Sequence, residues 1–259
     1  MKRFPSAAGY FHPVLPATIL IATVALPAQA VLAAEGDHLT FGLGAGIVPR
    51  YEGSDEHRVT AVPLIDAQYG LFFARSGDGL GLKLLQTPQF TAGLGLNWMQ
   101  GYDRDDVPDG IGKLSDALGA RIFVSTHFSG AVATLSATQA VTKSERGLIA
   151  NARLSYPYDV TDRFKVVPSV AVNWANAKYM NSYFGIDSEQ AARSGLSKYH
   201  PSAGFKDASL RVGFNYELSK NWNITGAVGV SRLLGDAADS PLVKRKTQVV
   251  GAIGVTYDF

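Results

Sequence analysis

The stretch QFTAGLGLNW, Gln89 to Trp98, carries the pattern that decides the fold of this chain. Every second residue from Phe90 to Trp98 is apolar, and the residues between them are small or polar. A period of two predicts a β-strand with one apolar face. The length of about ten residues and the aromatic side chains near both ends are typical of a strand that crosses an outer membrane.

The same pattern recurs along the chain, for example in SLRVGFNYEL (209–218), NWNITGAVGV (221–230) and VVGAIGVTYDF (249–259). It predicts twelve strands. Their expected ranges are 39–48, 59–68, 71–76, 79–86, 89–99, 118–128, 131–141, 146–158, 163–175, 208–218, 221–233 and 246–259, with the third and fourth the weakest.

The connections between these strands sort by length. Connections after even-numbered strands are short, such as Tyr69-Gly70 and Ser129-Gly130, whereas those after odd-numbered strands include 100–117 and 176–207. A soluble lipocalin-like barrel or sandwich gives no reason for such sorting, but outer-membrane barrels have short periplasmic turns and long external loops. We therefore predict an all-β, transmembrane, antiparallel up-and-down barrel of about twelve strands.

Hydrogen bonding explains how such a chain can finish in a strand. Lipid cannot satisfy free backbone groups, so membranes are crossed only by helices and closed barrels. The last predicted strand is expected to close the barrel against the first. Its aromatic residues Tyr257 and Phe259 are predicted to act as the signal that the barrel-assembly machinery reads.

The first thirty-three residues predict a signal peptide. Lys2 and Arg3 precede the apolar run VLPATILIATVAL, which is too short to span a bilayer, and small residues follow. Cleavage is expected after Ala33, with Ala30 as the other candidate site. The predicted domains are thus the signal peptide, 1–33, and the barrel, 34–259, delivered by Sec-type export to the outer membrane of a Gram-negative bacterium, where it meets lipid and lipopolysaccharide.

The composition excludes several classes of function. The chain has no cysteine, which excludes thiol catalysis, disulfides and cysteine zinc sites. It has 24 Lys and Arg against 22 Asp and Glu, and two of the basic residues lie in the predicted signal peptide. Because the mature chain is near neutral and has no basic run, a nucleic acid is not expected as a partner.

Four loop motifs carry a family resemblance: YEGSD (51–55), SYFGID (182–187), SGLSKYHPSAG (194–204) and RLLGDAADSPLV (232–243). Together with the final Tyr-x-Phe, and in this order, they resemble the MipA/OmpV family of outer-membrane proteins. The resemblance covers essentially the whole predicted mature chain.

The resemblance implies a scaffold or envelope-maintenance protein that tethers a murein hydrolase, specifically a lytic transglycosylase, and a peptidoglycan synthase. It also implies a protein without enzymatic activity or cofactor, because the family has no assigned catalytic residues. No catalytic, cofactor-binding or metal-binding residue is therefore expected here.

The alternative function is a narrow outer-membrane channel for small solutes, anions among them. Basic side chains that line a pore favour anions. The residues expected to line the lumen are Lys83, Arg121, Arg153, Lys165, Arg211 and Glu217.

Two groups of residues have the chemical types of a reactive site. Ser125 and His127 share a strand face and, with an amide such as Asn151 or Asn173, have the residue types of a hydrolase triad. Polar residues are expected on a lumen face in any case. The acidic run DRDDVPDG (103–110) offers carboxylates to calcium, but its spacing is not that of an EF-hand.

The long connection 176–207 contains aromatic residues and glycines that suit either an external binding site or a lid folded into the barrel mouth. We favour the lid, because a loop of this length usually packs on itself or acts. The candidate lid residues are Tyr51, Asp55, Tyr183, Phe184, Gly185, Tyr199 and Pro201.

Overall fold

The computed structural model describes residues 36–259. The predicted signal peptide and both candidate cleavage sites lie outside this range and stay predictions. None of the helices within residues 36–259 is long and apolar enough to cross a membrane.

Strands dominate the part of the chain that the structure describes. They are β1 His38–Pro49, β2 His57–Tyr69, β3 Phe72–Arg75, β4 Gly79–Gln86, β5 Phe90–Met99, β6 Ala117–Phe128, β7 Ala131–Ala140, β8 Leu148–Ser155, β9 Tyr158–Thr161, β10 Phe164–Ala175, β11 Gly204–Glu217, β12 Trp222–Leu233 and β13 Thr247–Asp258. The helices are α1 Ala177–Phe184, α2 Ser188–Ser194 and α3 Gly235–Ala238, with 3-10 turns at Arg104–Asp106 and Ser144–Arg146.

The sheet closes on itself. Strands pair antiparallel in sequence order, β10 pairs with β11, and β13 pairs with β1 from Thr40 opposite Asp258 to Ile47 opposite Gly251. β8 and β9 both pair with β10 and share one strand position, which is interrupted at Pro157 because proline has no N–H to donate. The result is a closed antiparallel barrel with twelve strand positions, so the predicted fold is confirmed.

Two boundaries differ from the sequence prediction. The eighth strand continues past its interruption to Thr161 instead of ending at residue 158. The long connection is also more ordered than expected: β11 begins at Gly204, and α1 and α2 occupy the residues before it. Asn176 begins α1 because its side chain accepts a hydrogen bond from the Tyr179 N–H.

The two ends of the barrel differ in their connections. One end, which we call the long-loop end, carries residues 50–56, 100–116, 141–147, 176–203 and 234–246. The other, the short-turn end, carries 70–71, 87–89, 129–130, 162–163 and 218–221, together with the start of β1 and the end of β13. The turn 76–78 points towards the long-loop end but ends partway along the barrel wall, beside Pro63 and Ile65. This arrangement follows the sorting of loop lengths in the sequence.

The outer surface of the barrel is apolar. Leu43, Ile122 and Leu210 point outward from three separate strands and are 63%, 64% and 58% exposed. Large apolar side chains exposed all around a sheet are unfavourable in water but suit contact with lipid chains. The exposed face is therefore the membrane surface of the protein.

The hairpin of β3 and β4 is short and leaves part of β2 without a neighbour. β2 pairs with β1 along its whole length but with β3 only from Asp66 to Tyr69. Ser76, in the hairpin turn, ends this ladder: its hydroxyl donates to the Pro63 carbonyl and accepts from the Ile65 N–H. Pro63 has no N–H of its own, which suits a strand edge.

Candidate functional site

The long loops pack together at their end of the barrel into a unit that we call the loop cluster, made of residues 50–56, 100–116, 141–147, 176–203 and 234–246. Its centre is α1, whose side chains Met180 and Phe184 are fully buried. They pack against apolar residues at the long-loop ends of five strands, namely Met99, Ala117, Ala140, Ala175 and Leu233. Helix α1 thus contacts the barrel wall from several sides.

A second apolar core joins the outer part of the loop cluster. Ile186 and Leu242 are fully buried and pack with Val107 and Ile111 from the connection between β5 and β6. Backbone hydrogen bonds pair Ile186 with Tyr199 in both directions. Three of the long loops are therefore held to one another by apolar contacts.

Arg146 is the most buried charged side chain of the loop cluster, at 1% exposure. Its guanidinium donates to the carbonyls of Gln100 and Ser115 and to the Tyr183 hydroxyl, and it lies 4.4 Å from the centre of the Tyr183 ring. Neutral acceptors and an aromatic face thus hold this cation. One side chain connects three loops.

Lys206 makes a second buried connection. Its ammonium lies 2.5 Å from Glu52 of the first loop and 2.8 Å from its neighbour Asp207, at the start of β11. It also lies 5.9 Å from the ring of Tyr179 in α1. The YEGSD stretch is thereby fixed to the rest of the loop cluster.

Tyrosine hydroxyls complete the cluster. Tyr51 donates to the Leu242 carbonyl at 2.9 Å, and Tyr199 donates to the Asp236 carbonyl at 2.9 Å. Burial, assisted by Asp55 and Glu56, raises the pKa of Tyr51 to about 12. Burial also raises the pKa of Tyr102 to about 12. These hydroxyls therefore stay protonated well above neutral pH.

Six of the seven candidate lid residues lie within these contacts, and one stands apart. Tyr51, Tyr183, Phe184 and Tyr199 take part in the contacts above. The Gly185 N–H and the Pro201 carbonyl are both hydrogen-bonded to Asn181. Asp55 is exposed and belongs to neither apolar core.

The residues expected to line the lumen are spread along the barrel. Lys83 and Arg121 are buried, and Arg121 forms an ion pair with Asp78 at 3.0 Å. Lys165 lies nearer the short-turn end, 3.5 Å from Asp159. Arg153, Arg211 and Glu217 lie on β8, β11 and the end of β11. Arg153 interacts electrostatically with both Arg121 and Arg211, so these three cations face the same part of the lumen. Glu217, like Lys165, lies nearer the short-turn end.

The hydroxyl of Ser125 and the imidazole of His127, which have the residue types of a hydrolase triad, are not hydrogen-bonded to each other. Ser125 is hydrogen-bonded to Thr134 at 2.8 Å, and Asn151 donates to Asn173. His127 Nδ1 is buried and has no hydrogen-bond partner among the described residues. The side chains of a triad are therefore not in contact in this arrangement.

The acidic run after β5 is engaged in ion pairs. Asp106 lies 2.6 Å from Arg58, and Asp103 lies 2.8 Å from Lys113. Residues 36–259 contain no group of three or more His, Asp or Glu side chains placed to hold a metal ion. The first pair ties the loop to the start of β2, and the second lies within the loop.

A polar cavity of about 500 Å³ lies at the short-turn end. It lies inside the barrel, and its walls are formed by β1, β2, β3, β11, β12 and β13. Its polar lining includes His38, Thr40, Asp66, Arg75, Asn215, Glu217, Asn223, Thr256 and Asp258. Of these residues, only Glu217 is among the candidates for lining the lumen that were predicted from the sequence. The others alternate inward along their strands, but strand register decides which of them meet.

The chain matches known proteins over most of its length. The family model described as MltA-interacting protein MipA matches residues 41–259. The MltA-interacting protein of Escherichia coli K12 is 26% identical over 93% of this chain and 96% of its own length. A 24 kDa outer membrane protein of Pasteurella multocida is 24% identical over 91% of this chain and 95% of its own length.

Solved structures with a related shape include the KdgM porin, with a TM-score of 0.43 and 10% identity over 86% of this chain and 99% of that protein. The toluene transporter TodX of Pseudomonas putida has a TM-score of 0.37 and 10% identity over 91% of this chain and 92% of its own. Both likenesses are too low to say anything about function.

Proposed function

Because the chain belongs to the MipA family of outer-membrane proteins, we propose that it is a non-enzymatic, closed barrel that holds a murein hydrolase or synthase against the outer membrane. The observation that carries this proposal is the packed loop cluster. A barrel filled at one end by buried apolar side chains is suited to presenting a surface rather than to passing solutes.

The apolar core supports a stable closure. Met180, Phe184 and Ile186 are each fully buried. Full burial of such a side chain is worth roughly 1.5–3 kcal/mol relative to exposure. Opening the loop cluster exposes all three at once and also breaks the buried contacts of Arg146 and Lys206. The candidate lid residues, Asp55 apart, then act together as a fixed cap.

The partner is expected at the short-turn end. Outer-membrane barrels place their short turns in the periplasm and their long loops outside the cell. Murein and its enzymes lie on the periplasmic side of the membrane. A relative of similar length is named MltA-interacting protein, which supports a murein enzyme as the class of partner.

Site-specific photo-crosslinking tests this docking. A photoreactive amino acid placed at Ser129, in the short turn between β6 and β7, is expected to capture a murein hydrolase or synthase in intact envelopes. The matched control carries it at Asp109, in a long loop. Capture of neither enzyme class from any short turn, or equal capture from Asp109, contradicts the proposal.

A narrow anion channel is the second candidate, and the interior cations favour it. We propose that Lys83, Arg121, Arg153, Lys165 and Arg211 line the lumen together with Glu217. Planar-bilayer recording of the purified barrel separates the two functions. Single-channel steps with anion preference support the channel, and their absence supports the closed barrel.

A further inference from the structure

The barrel wall has a gap between β2 and β5, above the hairpin that β3 and β4 form. The first half of β2, from His57 to Val62, pairs with β1 but lies beyond the hairpin. On the other side of the hairpin, β5 continues to Met99 beyond Leu96, the last residue that pairs with β4. Among the described strands β2 and β5 do not pair with each other. Two strand positions are therefore missing from this part of the wall.

The backbone of β2 presents hydrogen-bonding groups to this gap. The N–H and C=O of Ile65 point to the hairpin, where both bond to Ser76. Because alternate residues of a strand direct these groups to the same side, those of Ala61 and Val59 point into the gap. The Ala61 carbonyl accepts a long hydrogen bond, 3.4 Å, from the Thr60 hydroxyl. Within residues 36–259 no partner on this side is found for the Ala61 N–H or for Val59.

The opposite rim of the gap, on β5, has the same property. A Cβ atom at Gly79 would lie against the Leu96 carbonyl, which shows that this carbonyl points towards β4. By the same alternation, the backbone groups of Trp98 point into the gap beyond the end of β4. The part of the chain that the structure describes offers them no partner there. Both rims thus end in an open strand edge.

The gap lies in the lipid-facing part of the barrel. The outward side chain of Val59 is 74% exposed, and that of Ile47, its neighbour on β1, is 54% exposed. The loop 100–116 bounds the gap at the long-loop end, where Asp106 lies 2.6 Å from Arg58. Lipid chains neither donate nor accept hydrogen bonds, so an open strand edge is unfavourable at this place.

We propose that this gap binds an extended segment of another outer-membrane polypeptide, which pairs with β2 as an added antiparallel strand. A second backbone offers both donors and acceptors at the spacing of the strand edge. A lipid chain fills the space but satisfies none of these groups. The matching segment turns apolar side chains towards lipid, beside Val59 and Ala61, and small or polar ones towards the lumen. Because the gap lies far from the short turns, this binding is independent of the murein-enzyme docking proposed above.

A synthetic peptide with this pattern tests the site on the purified, folded barrel in detergent. The probe is a fluorescent peptide of alternating valine and threonine with a lysine at each end, and its binding is measured by fluorescence anisotropy. Residues that exchange hydrogen bonds across an antiparallel pair share a face, so the lipid-facing valines donate to β2. Methylation of the valine backbone nitrogens should abolish binding. The isomer methylated at the threonine nitrogens is the matched control and should still bind.

A proline on the strand edge tests the same contact from the side of the barrel. Ala61→Pro removes one N–H from the edge and is expected to weaken peptide binding about tenfold. Pro63, two residues along and in the same orientation, shows that this edge accommodates proline. Ala61→Val keeps the N–H and is the matched control, expected to bind like the unsubstituted protein. The folded band on an unheated gel checks that each variant is folded.

The position of the bound peptide is tested with a bimane fluorophore on single cysteines, Val59→Cys and Leu210→Cys, in vesicles of dibrominated phospholipid. The peptide should protect the fluorophore at Val59 from quenching by the bromines. At Leu210, whose strand has neighbours on both sides, quenching should not change. No peptide binding, equal binding of the two methylated isomers, or equal binding to Ala61→Pro and Ala61→Val overturns the proposal. Unchanged quenching at Val59 with saturating peptide also overturns it and assigns the gap to lipid.

Discussion

At the long-loop end of the barrel, Met180, Phe184 and Ile186 are buried among apolar neighbours, whereas at the short-turn end Asn223, Glu217 and Asp258 line a cavity. The same strands form both ends. Their inward residues near the long loops include Ala117, Ala140 and Ala175, which leave room for a helix. Near the short turns the inward residues are polar and the connections too short to fold back.

The comparison shows that loop length and inward side-chain size act together. Small inward residues alone would leave an open pore, and a long loop without them would stay outside the barrel. In this chain, long loops and small inward residues occur together at one end of the barrel only. Substitutions that loosen the loop cluster should therefore leave the barrel itself folded.

The largest effect is expected from Phe184→Ala. Removing a fully buried phenylalanine costs about 3–5 kcal/mol. The loss should fall on the loop cluster, so trypsin should cleave at Arg193 and Lys198 much faster. The folded band on an unheated gel should stay. Phe205→Ala, at a position that is 60% exposed, is the control and should leave cleavage unchanged.

Arg146→Met should weaken the loop cluster by roughly 2–4 kcal/mol. Methionine keeps much of the volume, but the carbonyls of Gln100 and Ser115 lose their buried donor. Faster tryptic cleavage and faster hydrogen exchange in residues 177–184 would measure this loss. Unchanged exchange would show that Arg146 does not hold the loops together.

Glu52→Gln should weaken the closure by about 1–2 kcal/mol, since the Lys206 ammonium keeps Asp207 but loses one charged partner. Asp55→Asn, three residues further along the same loop, should have almost no effect because Asp55 is exposed. Equal effects of the two changes on tryptic cleavage would argue against a structural role for the buried pair.

Alkaline pH should loosen the loop cluster gradually. The pKa of Tyr51 and of Tyr102 is raised from 10.0 to about 12 in the folded protein. Above pH 10 the unfolded tyrosine loses its proton while the folded one keeps it, so this stability is complete below pH 10 and declines as the pH rises towards 12. Tryptic cleavage rates measured between pH 8 and 11 check this loss of stability. The decline in stability should be smaller in Tyr51→Phe and in Tyr102→Phe.

The barrel could be predicted because its signal is local. Alternation from Phe90 to Trp98 identifies a strand without reference to any other part of the chain, and twelve such signals and their connections suffice for the topology. The weakest predicted strands, the third and fourth, are also the ones that form the short hairpin beside β2. Pro157 interrupts the eighth strand, which a period of two does not reveal.

The loop cluster and the cavity depend on contacts that sequence spacing does not contain. In the sequence, Arg146 looks like an ordinary charged loop residue. Only the fold brings it into contact with Tyr183. Asp258 and Glu217 share a wall only because β11, β12 and β13 are neighbours in a fixed register. The role of Tyr257 and Phe259 in barrel assembly stays a prediction; their rings lie 4.9 Å apart at the short-turn end.

The most direct test of the difference between the two ends is cysteine labelling, for which the cysteine-free chain is a ready background. A single cysteine at Thr225, on the wall of the polar cavity, should react rapidly with a water-soluble maleimide in the purified barrel. A single cysteine at Ala175, which is fully buried beneath α1, should react only after Phe184→Ala is added. Equal, rapid labelling at Thr225 and Ala175 without that change would contradict a closed long-loop end.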